Sequence, residues 1–278
     1  MNLVRSISQA RKIIAAQKKK GKKIGLVPTM GFLHEGHLSL VRIARRKCDF
    51  LVVSVFVNPT QFGPKEDFRR YPRNVSRDLR LLEKEGADLV FYPSVTSMYP
   101  SGFRTHVEVV DWSKILCGAT RPIHFRGVTT VVLKLFNIIM PNIAVFGRKD
   151  YQQAVIIKRM VRDLNLPVQI VTGRIVREPD GLAMSSRNIY LNKIQRKNSV
   201  VLYDSLKWLR QAYIKGLRDP RLAKSKIASM IRKKKGKIDY IALVDKNTLE
   251  PVKKIRKGTL VALAVFFGRT RLIDNTAL

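Results

Sequence analysis

The chain has 278 residues, 45% apolar and 27% charged, enough for a sizeable core and about two domains. No apolar run approaches the roughly 20 residues needed to span a membrane, and two cysteines, Cys48 and Cys117, exclude a disulfide framework and fit a reducing cytosol. The 54 Lys+Arg against 20 Asp+Glu, a net charge of +34, raise nucleic-acid binding as a class, but the cations are spread over 18–23, 69–80, 207–237 and 253–257 without interleaved aromatics, so a solvated basic surface or a compositional bias is the reading adopted.

Leu3, Ile7, Ala10 and Ile14 form one apolar stripe, so residues 1–20 read as a helix rather than a basic presequence, for which the following strand leaves no room. The run 24–27 is a short buried strand, and Leu38, Leu40, Val41 and Ala44 mark the next helix. Residues 49–58, rich in Val and Phe, are a strand. Val75, Leu79 and Leu82 mark a helix closed by Gly86, and 87–92 is a strand. Alternation over 105–110 predicts an edge strand. A largely apolar helix over 128–140 ends at Pro141, followed by a strand at 142–146, a helix at 151–164 and a strand at 168–172. Strands alternating with helices mean a parallel sheet covered on both faces, with ligands at the carboxyl ends of its strands. After about Asn188 the texture changes. Leu202, Leu206, Leu209 and Tyr213 mark a helix, 220–231 another, and 238–245, 259–267 and 270–273 an antiparallel group. The expected fold is α/β: a Rossmann-like parallel sheet domain, 1–177, then a smaller α+β C-terminal domain, 178–278, expected to form a lid over the site.

Four junctions carry chemistry. In the first, Pro28-Thr29-Met30-Gly31-Phe32-Leu33-His34-Glu35-Gly36-His37, a strand turns into a helix. Unpaired N–H groups and the positive end of the helix dipole then face whatever lies above the sheet. Gly31 and Gly36 remove Cβ atoms that would hold a phosphate away. His34 and His37, three apart, can face one anion. The arrangement suits a nucleoside triphosphate, although taken alone it reads equally as two structural histidines beside a turn. The second, Val57-Asn58-Pro59-Thr60-Gln61-Phe62, offers the amides of Asn58 and Gln61 to hydroxyls and a carboxylate; its bland alternative is an ordinary Asn-Pro turn. Tyr71-Pro72-Arg73 follows as a pocket rim, and His124, in the segment opening the apolar helix, reads best as a packed histidine. In the third, Phe146 to Gln153, Lys149 is placed to neutralise phosphate and Asp150 to bind ribose hydroxyls or a metal-bound water. Gln153 lies one helical turn after Lys149; the alternative is a solvated helix cap. The fourth, Arg177 to Leu191, holds Ser185, Ser186 and Arg187 on a Gly-containing loop that can wrap phosphates or simply connect two domains.

Taken together, Pro28-Thr29-Met30-Gly31 with His34-Glu35-Gly36-His37, then Asn58 and Gln61, Gly147 to Gln153, and Met184-Ser185-Ser186-Arg187 resemble the pantothenate synthetase (pantoate–β-alanine ligase) family of the His-x-Gly-His nucleotidyltransferase superfamily. The blocks stand in family order from Pro28 to Leu191, and Arg271 to Asn275 resembles the family's C-terminal strand. The resemblance covers nearly the whole chain and is weakest over 193–237. It implies a cytoplasmic ligase that condenses (R)-pantoate with β-alanine through pantoyl adenylate, releasing AMP and pyrophosphate. ATP is a substrate accompanied by Mg²⁺, the partners are small molecules, and the assembly is a homodimer with no specific nucleic acid and no membrane. The implied catalytic residues are His37, His34, Lys149 and Arg187. The implied ATP site comprises Met30, Gly31, Phe32, Leu33, His34, Glu35, Gly36, His37, Gly147, Arg148, Lys149, Asp150, Val176, Met184, Ser185, Ser186 and Arg187. Gln61 and Gln153 would grip pantoate, with Met30 and Asn58 against it. Metal ligands stay unassigned, with Asp78 and Asp150 as candidate outer contacts. The family usually has an acid where this chain has Arg148, a departure that bears on the local field and on nucleotide affinity. The loop at Ser185 resembles the mobile phosphate loop of aminoacyl-tRNA synthetases. Two other classes are weighed against this one. A tRNA-linked adenylate-forming enzyme lacks room here for an anticodon-binding module. A nucleic-acid-binding protein with a degenerate core does not fit intact His34, His37, Lys149 and Arg187.

Overall fold

Six strands of this chain line up in parallel, and their order sets the place of the site. The computed structural model describes residues 1–64 and 66–278. The chain divides into two compact units, Met1–Arg148 with Gln153–Arg174, and Lys149–Gln152 with Ile175–Leu278. In chain order the elements up to Gly173 are β1 (Asn2–Val4), α1 (Ile7–Lys19), β2 (Ile24–Thr29), α2 (Glu35–Arg45), β3 (Phe50–Val55), α3 (Val75–Lys84), β4 (Leu89–Phe91), α4 (Val95–Met98), α5 (Cys117–Thr120), α6 (His124–Ile139), β5 (Ile143–Gly147), α7 (Tyr151–Asp163) and β6 (Gln169–Gly173).

The sheet order is β1-β4-β3-β2-β5-β6, with parallel pairing throughout. From β2 the chain winds outward through β3 to β4, then returns to β5 on the other side of β2. That reversal makes the carboxyl ends of β2 and β5 the topological switch point, where open α/β sheets bind ligands. Strand alternation divides the core. Leu26 joins Ile14, Leu135, Phe136 and Ile157 on the face of α1, α6 and α7. Val27 joins Leu38, Val41 and Leu82 on the face of α2 and α3.

Two expectations are corrected. Residues 2–4 are strand rather than helix, and α1 begins at Ile7 behind the N-cap Ser6. The reason is edge pairing: Asn2 N donates to Asp88 O at 2.9 Å and Tyr92 N to Val4 O at 2.8 Å. Residues 105–110 form no strand. Hydroxyls of α6 take up this backbone instead. Val107 N donates to Thr130 Oγ1 at 3.0 Å, and Thr129 Oγ1 donates to Val107 O at 2.5 Å.

In the second unit, α8 (Lys193–Ser199), α9 (Val201–Ile214) and α10 (Pro220–Lys233) precede β7 (Lys237–Asp245), β8 (Thr259–Phe267) and β9 (Thr270–Ala277), an antiparallel sheet in the order β7-β8-β9. Its core joins Leu202, Leu206 and Leu209 to Ile227, Ile231, Val261 and Leu263. Helix α8 carries no apolar period and escaped the sequence reading; it starts on a reciprocal cap between Asn192 and Gln195. Among the described residues no helix is long and apolar enough to cross a membrane. Cys48 and Cys117 are buried and not joined in a disulfide.

Candidate active site

After β2 the chain turns through Met30–Leu33 into α2. Gly31 has φ +79° and Phe32 φ +49°. A Cβ on Gly31 would lie 3.0 Å from both Asp78 Oδ2 and Val55 Cγ1, so the tight turn and the close approach both call for glycine. Asp78 of α3, 2% exposed, holds the turn. It accepts from Phe32 N at 2.7 Å and from Leu33 N at 2.8 Å. Burial pushes its carboxyl above the usual range, while the Leu33 and Phe32 N–H donors and Arg77 pull it back. Arg77 braces the same turn by donating to Leu33 O at 2.7 Å. Each oxygen of Asp78, the candidate outer contact for Mg²⁺, accepts one backbone N–H of the turn. Among the described residues no group of three His, Cys, Asp or Glu side chains is placed to hold a metal ion.

His34 and His37 cap α2 reciprocally. Gly36 N donates to His34 Nδ1 at 3.1 Å, and His34 N donates to His37 Nδ1 at 3.3 Å. The ring centroids are 4.0 Å apart. A ring nitrogen that accepts a hydrogen bond carries no proton, so in each neutral ring the proton sits on Nε2. The backbone thus fixes both histidines in the tautomer whose outer nitrogen donates. Glu35, also expected in the ATP site, is exposed and pairs with Arg42.

At the end of β3 a 3-10 turn, Pro59–Gln61, packs against α6. Gly127 permits it: a Cβ there would lie 2.3 Å from Thr60 O and 2.6 Å from Gln61 N. Asn58 and Gln61 are buried, at 1% and 9% exposure. Asn58 Nδ2 donates to Gln61 Oε1 and to Gly127 O, each at 3.1 Å. Asn58 Oδ1 accepts from Tyr99 Oη and Thr60 Oγ1, each at 2.9 Å. Gln61 Nε2 meets the Met30 sulfur at 3.2 Å. His124 sits as a packed histidine with Nδ1 3.0 Å from Gln61 O, and Arg121 Nη2 donates to the same oxygen at 3.3 Å. Gln153 is half-buried in the first turn of α7. Arg148, exposed beyond β5, directs Nε to Thr172 Oγ1 at 3.5 Å.

In the second unit, β9 organises the Lys149 segment. Asp274, 1% exposed, forms a two-pronged pair with Arg177 at 2.6 and 2.9 Å. The next residue, Asn275, donates from Nδ2 to Lys149 O at 2.9 Å. Burial lowers the Lys149 pKa; Asp150 and Asp274 oppose this, while Arg187 adds to it. Two cations close enough to repel one another are suited to an anion that neutralises both. Val176 and Met184 close a small hairpin, Met184 N donating to Val176 O at 3.0 Å. Ser185 caps the 3-10 turn Ser186–Tyr190, its Oγ accepting from Arg187 N at 3.3 Å. The loop is tied down: Asn188 Nδ2 donates to Glu178 Oε1 at 2.6 Å, and Arg196 pairs with Glu178 and Asp180. Tyr99, Arg121 and Asp274 escaped the sequence reading. Arg121 and Asp274 left a trace there, inside the segments 121–127 and 271–275, without a role.

Residues 2–277 match the family model described as Pantoate-beta-alanine ligase. Curated relatives named pantothenate synthetase include one from Thermotoga petrophila, 54% identical with 100% of each chain covered. Another, from Thermoanaerobacter sp. (strain X514), is 57% identical over 97% of this chain and 95% of its own. Among solved structures, the pantothenate synthetase of Thermus thermophilus has a TM-score of 0.95 at 44% identity, covering 100% of this chain and 99% of its own. The pantoate-beta-alanine ligase of Francisella tularensis, complexed with beta-gamma ATP and beta-alanine, has a TM-score of 0.83 at 36% identity, covering 100% and 97%.

Proposed function

This chain belongs to the pantoate-beta-alanine ligase family, and from that membership we propose that it condenses (R)-pantoate with β-alanine through a bound pantoyl adenylate. In the first step a carboxylate oxygen of pantoate attacks the α-phosphorus of ATP, and pyrophosphate leaves with the electron pair of the broken P–O bond. In the second, the free amine of β-alanine attacks the acyl carbon. The C–O bond to AMP breaks and the nitrogen loses its proton. Neither step asks for a protein nucleophile. Both need reactants held in line and charge stabilised on phosphate.

The observation that carries this reading is the reciprocal histidine cap at the switch point, in which both Nδ1 atoms accept from backbone N–H groups and hold the two rings side by side. In the proposal His34 and His37 donate to phosphate oxygens, with His37 the principal catalytic donor. Lys149, Ser185, Ser186 and Arg187 hold the triphosphate. Gly31, Gly147, Asp150 and Val176 line the nucleotide, and Gln61 and Gln153 grip pantoate beside Met30. Mg²⁺ enters as part of the nucleotide substrate, and the working assembly is a homodimer. The test is a product assay with ATP, (R)-pantoate and β-alanine. AMP and pyrophosphate should form, and His37→Ala should slow adenylation by roughly 10²–10³, the usual cost of one lost transition-state donor. ADP and phosphate as products, or wild-type adenylation by the variant, would contradict the proposal.

A further inference from the structure

The buried amide chain behind Gln61 is polar throughout and runs in one direction. Asn58 Oδ1 accepts from Tyr99 Oη and from Thr60 Oγ1, and Gly127 O, which can only accept, holds the nitrogen end of that amide toward itself. Its nitrogen end then donates both protons, one to Gln61 Oε1 and one to Gly127 O. A primary amide has two N–H donors, so Asn58 keeps none for a ligand. Gln61 Oε1 is in turn an acceptor already in use, and Gln61 Nε2 lies on the weak acceptor Met30 Sδ. We propose that Asn58 is a positioning residue, oriented by Gly127 O and held by Tyr99, that presents Gln61 to the substrate as a hydrogen-bond donor and so selects an acid offering an acceptor oxygen there.

The proposal rests on the reading that Gln61 holds the pantoate oxygens, and a double-mutant cycle separates the two. Asn58→Asp keeps the acceptor facing Tyr99 and removes the donor facing Gln61, which favours a flipped Gln61 amide. KM for pantoate should rise roughly 10–100-fold, the range for a buried hydrogen bond lost with one partner left unsatisfied, with a smaller change in kcat. Gln61→Ala should raise it similarly. Because Asn58 acts through Gln61, adding Asn58→Asp to Gln61→Ala should change KM by less than about twofold, whereas direct contact with substrate would make the effects multiply. Multiplying effects overturn the relay. Unchanged KM in Gln61→Ala alone overturns instead the assignment of Gln61. Tyr99→Phe, which removes one hydroxyl, repeats the cycle should the buried aspartate prevent folding. Its effect on KM, smaller because Thr60 remains, should also vanish in the Gln61→Ala background, and an effect that persists there overturns the relay.

Discussion

In the proposed role on phosphate Lys149 has to stay charged, yet its surroundings work against the charge. Burial and the neighbouring Arg187 lower its pKa, and Asp150 and Asp274 restore only part of it. A lowered lysine pKa means the proton is lost at a lower pH than from a solvated lysine. The kcat/KM for ATP should therefore fall on the alkaline side, ahead of the ordinary lysine range. Lys149→Arg should remove that limb, since a guanidinium stays protonated; a limb unchanged in the variant would assign the titration elsewhere. The residues that handle substrate in this reading, His34, His37, Gln61 and Lys149, were legible because each stands in a compact motif at a strand end. Of the residues that hold them, Asn58 stood in the same motif as Gln61, but Asp78 and Tyr99 were not legible in that role. Asp78 lies 46 residues from Phe32 along the chain, and Tyr99 41 residues from Asn58, distances over which sequence carries no periodic signal.

The approach of α6 to the turn after β3 is the contact between elements on which the Gln61 site depends. It rests on one missing Cβ. Gly127→Ala would set a methyl 2.3 Å from Thr60 O and 2.6 Å from Gln61 N, backbone atoms that cannot rotate aside. The turn has to shift, with an expected stability loss of about 1–3 kcal/mol and a raised KM for pantoate. Thermal unfolding and substrate titration check this; a variant unchanged in both would mean the turn moves without cost. Long periodic elements such as α2 and α9 were readable from their apolar spacing. The three-residue β1 was not, because its strand state comes from pairing with β4. Residues 105–110 misled for the reverse reason: they alternate like a strand, but threonine hydroxyls of α6 take up their backbone.

At the scale of the whole molecule, 54 Lys+Arg against 20 Asp+Glu leave a net charge of +34. Several of those acids already serve structure, among them Asp78, Asp274 and the Glu178–Asp180 pairs with Arg196. The excess makes a positive field that draws in anions, the proposed substrates included, and salt should screen it. The sheet order, which puts the switch point between β2 and β5, is the feature that gives the histidine cap its place. Sequence showed the alternation of strands and helices but not the order in which the strands pair. The central claim is that the acid is activated by adenylation before any amine is needed. Exchange of labelled pyrophosphate into ATP tests it most directly. With Mg²⁺ and (R)-pantoate, exchange should proceed in the absence of β-alanine and stop when pantoate is withheld. Exchange that requires β-alanine, or runs on an amino acid without pantoate, would contradict it.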